Sequence, residues 1–352
     1  MAPCREAHGD HQRVADGLCL SEAAGPRPGA ASQGIEEETI GMSHWIGGGP
    51  VHFAAIQVDN SVRGIENRLC MIERLLAQVR DVDFVILPEL STPGYIPTPE
   101  IWDYREREGA LTKAWAVSMA QKYEMYIGCG YLDHSGGEYY NAYLIACKNG
   151  VCGFVYKEEP ESNLFKRGRF PHIIQTPLGK IAVAICFDAH RECFYESIKE
   201  EKPDLILMPH AWAMSVDGSG RVRGENRVKI DFLGSTYAAA FGVPVVFCNA
   251  IGAVDRMAGI TGLLMKDFKL AGQSGVYLPN GHDIRFEDRE IGLFELAVTS
   301  PGQRLREIPF YGTYIDEGSK LFRHVVIPLD IRKGTREYEK RKRRGEKAKS
   351  KK

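Results

Sequence analysis

Apolar and polar positions alternate along this chain in short blocks that read as strands and helices in turn. Val51 to Val58 (VHFAAIQV) is a nearly unbroken apolar run, as in a strand buried on both faces. Ile65, Leu69, Ile72, Leu75, Leu76 and Val79 recur at helical spacing, and Phe84 to Leu87 (FVIL) is again strand-like. A helix is predicted near Leu111 to Lys122. Strands at Tyr126 to Leu132, Tyr139 to Cys147 and Gly153 to Tyr156 follow with hairpin-like spacing. The pattern then predicts a strand at Ile181 to Ile185, a helix at Glu192 to Lys202, a strand at Leu205 to Met208, a helix at Val228 to Phe241 and a strand at Val243 to Phe247. Further strands fall around Gly262 to Met265, Gly275 to Leu278 and Ile291 to Val298, and no internal repeat is evident. Helices alternating with strands, with hairpins among them, imply α/β sheets covered by helices.

The two ends break this pattern. Residues 1–50 are rich in Gly, Ala, Ser and Pro with no period, which predicts a disordered N-terminal extension. Its acids, among them Glu36, Glu37 and Glu38, argue against a mitochondrial transit peptide. Met42 is an alternative start, which mass spectrometry of the native N-terminus distinguishes. Residues 332–352 form a basic tail with twelve Lys or Arg against three Glu, a local charge of +9, within a chain whose net charge is −1. A solvated, disordered or frayed helical end is the expectation for it. Lying outside the motif-bearing region, it is expected to be dispensable for catalysis.

Composition narrows the class. With 352 residues, 44% hydrophobic and 26% charged, the chain is an ordinary globular one, which excludes a collagen or a disulfide-stapled mini-protein. No run approaches the roughly 18 apolar residues of a membrane span, and the near-zero net charge makes a nucleic-acid partner unexpected. Nine scattered cysteines without a C-x-x-C pair fit reduced thiols in the cytoplasm, and no metal-ligand spacing is visible.

Four apolar strands end in polar residues: VILPEL at Glu89, IAVAICFD at Cys186 and Asp188, LILMPHAW at His210 and Trp212, and VVFCNAIG at Asn249. Ligands bind at the carboxyl ends of strands in open α/β sheets, so these endings are candidates for one site. Cys186 sits where an apolar strand meets the polar stretch FDAHRE. An unperturbed thiol, with a pKa of about 8.5, is mostly protonated at neutral pH and needs a base or a cation beside it. His190 is very close in sequence, and His210 also fits a structural role. Glu89 is the better base, although its residue type equally fits a buried carboxylate satisfied by backbone N–H groups. Lys157 by itself also reads as an ordinary surface lysine.

VILPELSTPGY, GFVYKEEPE and IAVAICFDAHRE resemble, in order and spacing, the three blocks of the nitrilase, or carbon–nitrogen hydrolase, superfamily. Asn141, PDLILMPHAW, VVFCNAIG and LAGQSGVYLPNG add to the similarity, which covers about residues 51–300. The resemblance implies a four-layer α-β-β-α sandwich over residues 51–331, extended from about residue 300, in a homo-oligomer (dimer or higher). It implies Glu89 as general base, Lys157 as the cation stabilising a tetrahedral intermediate and Cys186 as nucleophile, without cofactor or metal. Lys157 and the Phe187 N–H are the candidate oxyanion donors. Relatives carry a further Glu seven residues before a Gly, a position held here by Glu161 ahead of Gly168; its carboxylate would hold the lysine in one rotamer. Glu158, Glu159 and Glu161 together also read as an acidic surface loop. Relatives often have a Glu seven residues beyond the nucleophile, where this chain has Cys193, with Glu192 and Glu196 nearby, so the local substrate contacts depart from the family pattern.

The expected activity is hydrolysis of a non-peptide C–N bond, an amide or N-carbamoyl group, of a small molecule. Phe187-Asp188 follows the cysteine as in the amidase and carbamoylase branches, where nitrilases proper usually have Trp-Glu. His190 and Arg191 are candidates for a substrate carboxylate, with Phe187, His210, Trp212 and Asn249 as further substrate contacts. An acyltransferase or nitrilase using the same Glu-Lys-Cys set, and a catalytically silent binding protein, are the alternatives.

Overall fold

The computed structural model describes residues 50–79, 81–215, 220–255, 268–286, 290–296, 306–315 and 320–349. The predicted N-terminal extension, the strand expected at Gly262 to Met265 and the last three residues of the tail lie outside these.

The first half of the chain builds one sheet. β1 (Val51–Ile56), α1 (Ile65–Leu76), β2 (Phe84–Ile86), β3 (Glu106–Arg107), α2 (Ala110–Tyr123), β4 (Tyr126–Ser135), β5 (Glu138–Cys147) and β6 (Gly150–Tyr156) follow in order. The strands lie as β16-β1-β2-β4-β5-β6, with β3 beside β4 and β16 (Ile291–Leu296) returning from late in the chain. The second half builds another: β7 (Ile173–Thr176), β8 (Gly179–Val183), α3 (Glu192–Ile198), β9 (Leu205–His210), β10 (Ala213–Ser215), α4 (Arg221–Phe241), β11 (Val245–Asn249), β12 (Ile251–Ala253), β13 (Phe268–Ala271), β14 (Gly275–Tyr277) and β15 (Ile284–Arg285). Its order is β15-β14-β11-β9-β8-β7, and β10, β13 and β12 form a small third sheet.

Burial explains the layers. In β1, Val51, Phe53 and Ala55 face a core shared with Ile181 and Val183 of β8 and Leu205 and Leu207 of β9, so the two sheets pack face to face. Ala54 and Ile56 of the same strand face Ile72 and Leu76 of α1 and Trp115 and Met119 of α2. On the far side, Phe194 and Ile198 of α3 and Ile230, Leu233 and Tyr237 of α4 cover Ala182 and Ile206. The result is α-β-β-α. Strands buried on both faces read as continuous apolar runs, the pattern seen in the sequence.

Two differences from the sequence prediction have plain causes. α4 begins at Arg221, seven residues before the predicted start. Its first two turns (RVRGENR) carry few apolar residues, so only the face of Ile230, Leu233, Tyr237 and Phe241 signals a helix. The basic tail is not a solvated end: residues 332–349 belong to α5 (Ile327–Lys349), whose Gly334 and Tyr338 are buried. Charge content hid a docked face of small and aromatic residues.

Candidate active site

The parallel strands β2, β8, β9 and β11 carry the four polar endings, and the loops beyond them meet. Glu89 follows β2 and is 2% exposed. The chain can turn there because β4 presents Gly130, where a Cβ would lie 2.8 Å from the Glu89 carbonyl carbon. Lys157, the first residue after β6, is 1% exposed, and its Nζ donates to Glu89 Oε1 at 2.6 Å. Asn141 Nδ2 of β5 donates to the same oxygen at 2.7 Å, and the Ala211 N–H beyond β9 donates to Oε2 at 2.9 Å. Glu89 is thus held from both sheets.

Cys186 opens a 3-10 turn, Cys186–His190, three residues beyond the end of β8. Its φ is 50°, in the left-handed region that a non-glycine residue occupies at a cost of about 1–3 kcal/mol. The side chain is half-buried. Burial and the nearby Glu89 push its thiol well above the usual range, while Lys157 and the Ala211 N–H favour the thiolate. Burial likewise pushes the Glu89 carboxyl up, against the pull of Lys157. Burial works against charge on Lys157 as well, but Glu161, Glu89 and Cys186 together hold its ammonium well above the usual range.

Glu161 reaches the same lysine, with Oε2 3.5 Å from Nζ. Its Oε1 accepts from the Tyr95 hydroxyl at 2.9 Å. Tyr95 was not singled out from the sequence. It ends the block PELSTPGY, six residues after Glu89, and it is fixed from behind because its N–H donates to Asn60 Oδ1 at 2.7 Å. Burial, reinforced by Glu161 and Glu89, pushes its hydroxyl well up, so it acts here as a donor.

Asp188, two residues beyond the cysteine, is fully buried. Its Oδ1 accepts the Glu159 N–H at 2.8 Å and its Oδ2 the Glu158 N–H at 3.3 Å, tying the lysine segment to the cysteine turn. Burial raises its carboxyl to about 8. His172 Nδ1 is 3.5 Å from Oδ2, and burial lowers that imidazole to about 4.

The predicted substrate contacts divide. Phe187, His190 and Trp212 form a half-buried aromatic row, with ring centroids 5.7 Å apart between the first two and 5.1 Å between the last two. Arg191 turns aside: its guanidinium stacks 4.5 Å from Tyr314 and pairs with Glu159 at 3.6 Å. His210 is fully buried, its Nδ1 2.9 Å from the Met208 carbonyl and its ring against Phe247. Asn249 accepts from the Trp212 N–H at 2.8 Å and donates to the carbonyls of Trp212 and Gly272. These last two side chains shape the ends of β9 and β11. Among the described residues no group of His, Cys, Asp and Glu is arranged to hold a metal ion, and no helix is long and apolar enough to cross a membrane.

Comparison with known proteins identifies the family. A probable nitrilase of Schizosaccharomyces pombe is 22% identical over 292 residues, which is 79% of this chain and 99% of that protein. The carbon–nitrogen hydrolase of Helicobacter pylori G27 superposes with a TM-score of 0.61 at 20% identity, over 71% of this chain and 90% of the other. An amidase of Nesterenkonia sp. gives 0.56 at 17% identity, over 75% and 97% of the two chains. The family model of carbon–nitrogen hydrolases matches residues 54–290, which span all three polar blocks, and the chain is therefore a member of the carbon–nitrogen hydrolase family, a hydrolase of the nitrilase superfamily acting on C–N bonds.

Proposed function

We propose that the protein hydrolyses an amide or N-carbamoyl C–N bond of a small molecule through a thioester on Cys186. The observation that carries this reading is the buried ammonium of Lys157 between Glu89 and Glu161, beside the cysteine. Glu89 takes the thiol proton as Cys186 attacks the carbonyl carbon. The oxygen becomes anionic, and Lys157 and the Phe187 N–H stabilise it. Glu89 returns the proton to the departing nitrogen as the C–N bond breaks, leaving the thioester. Glu89 then deprotonates water, which attacks the thioester; the acid leaves and the thiol is restored. A carboxyl raised by burial suits a base that must give its proton back.

The row of Phe187, His190 and Trp212 suits a planar amide or ureido group, and Phe187-Asp188 after the nucleophile resembles the amidase and carbamoylase branches. A variant of the Nesterenkonia amidase, with one glutamate and one cysteine replaced, is known in complex with acrylamide. The test is ammonia release across a panel of amides, N-carbamoyl amino acids and nitriles, alongside labelling by a thiol-reactive probe. Turnover of amides or carbamoyl compounds, with Cys186 labelled ahead of the other thiols, is expected. Turnover of nitriles alone, or no labelling of Cys186, would defeat the reading.

A further inference from the structure

Against the expectation from sequence that the basic tail is dispensable for catalysis, we infer that α5 is a positioning element for Glu161, with Gly334 and Arg341 as the residues through which it acts. This rests on the reading of Glu161 as the carboxylate that holds Lys157. The helix lies wholly beyond residues 54–290, the part matched to the family model.

Glu161 opens a tight turn in which the N–H groups of Leu164 and Phe165 both donate to its carbonyl, at 2.8 and 3.0 Å. Such a turn leaves the carbonyls of its middle residues pointing outward, and outside elements claim them. Arg341 Nη1 of α5 donates to the Asn163 carbonyl at 3.1 Å, and Trp102 Nε1 donates to the Leu164 carbonyl at 2.8 Å. Two turns earlier in α5, Gly334 meets the loop backbone itself. A Cβ there would overlap Ser162 Oγ and lie 2.9 Å from the Asn163 nitrogen.

Tyr338 anchors the helix at that height. Its hydroxyl donates to Glu138 Oε2 at 2.6 Å and accepts the Tyr139 N–H at 3.0 Å, and its ring meets the edge of Trp102, which stacks on Tyr139. Lys342 pairs with Glu138 at 2.7 Å. The helix, Trp102 and β5 therefore clamp residues 162–164 directly after Glu161. Because Glu161 sits 3.5 Å from Nζ, at the edge of a charge-assisted hydrogen bond, a small shift of this turn alters its hold on the lysine.

The test uses the full chain with Gly334→Ala, Arg341→Ala and Glu161→Gln. Alanine is the better helix former, so at an unpacked position Gly334→Ala would raise the melting temperature and leave turnover alone. Here kcat should fall about tenfold with KM within about twofold, since displacement of a positioning group by a fraction of an ångström costs this order of rate. Arg341→Ala should lower kcat about threefold, and it keeps the test open should Gly334→Ala not fold. Each change should add no further loss in a Glu161→Gln background, whereas general loosening of the fold would cost the same in both. Arg344→Ala, on the exposed face, serves as the control and should match wild type.

Wild-type kcat in both α5 variants beside a crippled Glu161→Gln would overturn the inference and spare the reading of Glu161. Undiminished losses in the Glu161→Gln background would also overturn it. Near-wild-type turnover of Glu161→Gln would remove the reading itself, and the inference with it.

Discussion

Two clusters of buried ionisable groups flank the Cys186 turn, and they hold opposite charge states. On one side Glu89 and Glu161 surround Lys157, and the mutual attraction keeps the ammonium charged in spite of burial. On the other, Asp188 is hydrogen-bonded only by backbone N–H groups and faces His172; Lys157 acts on it through charge alone, and burial drives both partners toward their neutral forms, near 8 and 4. Both clusters contain side chains that are entirely buried, so burial does not distinguish them. A full cation does. A carboxylate in low dielectric stays ionised beside an ammonium and loses its charge beside weaker dipoles. In the proposed mechanism Lys157 defines where charge chemistry proceeds, and the Asp188 cluster is neutral scaffolding that joins Glu158 and Glu159 to the cysteine turn.

The comparison breaks most decisively if the charged side is not where bonds are made. Cys186→Ala removes the proposed nucleophile with little change in volume, and turnover should fall by several powers of ten in a folded protein. More than about a hundredth of the wild-type rate, measured by ammonia release, would point to another nucleophile.

A smaller effect sharpens the boundary of the charged cluster. Glu161→Gln keeps the shape but withdraws one of the two carboxylates from Lys157. A loss of about a hundredfold in turnover is expected, the usual scale for groups serving acid–base chemistry. Glu158→Gln and Glu159→Gln, whose carboxylates pair with Arg167 at 3.0 and 2.7 Å and not with Lys157, should stay near wild type. Equal, mild effects in all three would mean that the loop acts as a plain acidic surface.

The neutral cluster should show itself in the dependence of stability on pH. Folded Asp188 keeps its proton up to about 8, whereas the unfolded chain releases it near the ordinary 3.8, so its contribution is fully present at low pH and is lost as pH rises through about 8. His172 works the other way: the unfolded chain gains a proton below about 6.5 and the folded one only near 4, so its contribution is lost as pH falls through that window. The two offset each other on the acid side. Between about 6.5 and 8 only Asp188 of this pair titrates, and the melting temperature should decline across that interval. Asp188→Asn should flatten the decline, and an unchanged slope would show that Asp188 is already ionised.

Much of the fold was readable in the chain because its inner strands are buried on two faces. β1, β2, β8 and β9 each appear as an apolar run, and α1 shows a helical period. Short edge strands such as β3 and β15, two residues each, carry no period and were not predicted. In the site, Glu89, Lys157 and Cys186 were visible because each lies directly beyond a strand, within a block that resembles a family. Asn249 and His210 share that position, yet their side chains bond to the backbone of β9 and its neighbours. Strand-end placement alone cannot distinguish a group facing the site from one closing the rim.

What the sequence determined by itself is therefore local: the apolar runs that become central strands, the helical faces that cover them, and the order of the three polar blocks. Tertiary structure decided which side chains meet. The Tyr95 hydroxyl finds Glu161 66 residues away, Asp188 catches backbone N–H groups 29 and 30 residues back, and Arg341 closes on Asn163 across 178 residues. No local period records such pairings, because each depends on two elements arriving at one rim with compatible shape. The basic segment shows this most sharply. Its charge suggested a solvated end, but one glycine and one tyrosine at the spacing of a helical turn let it dock against the loop that carries Glu161.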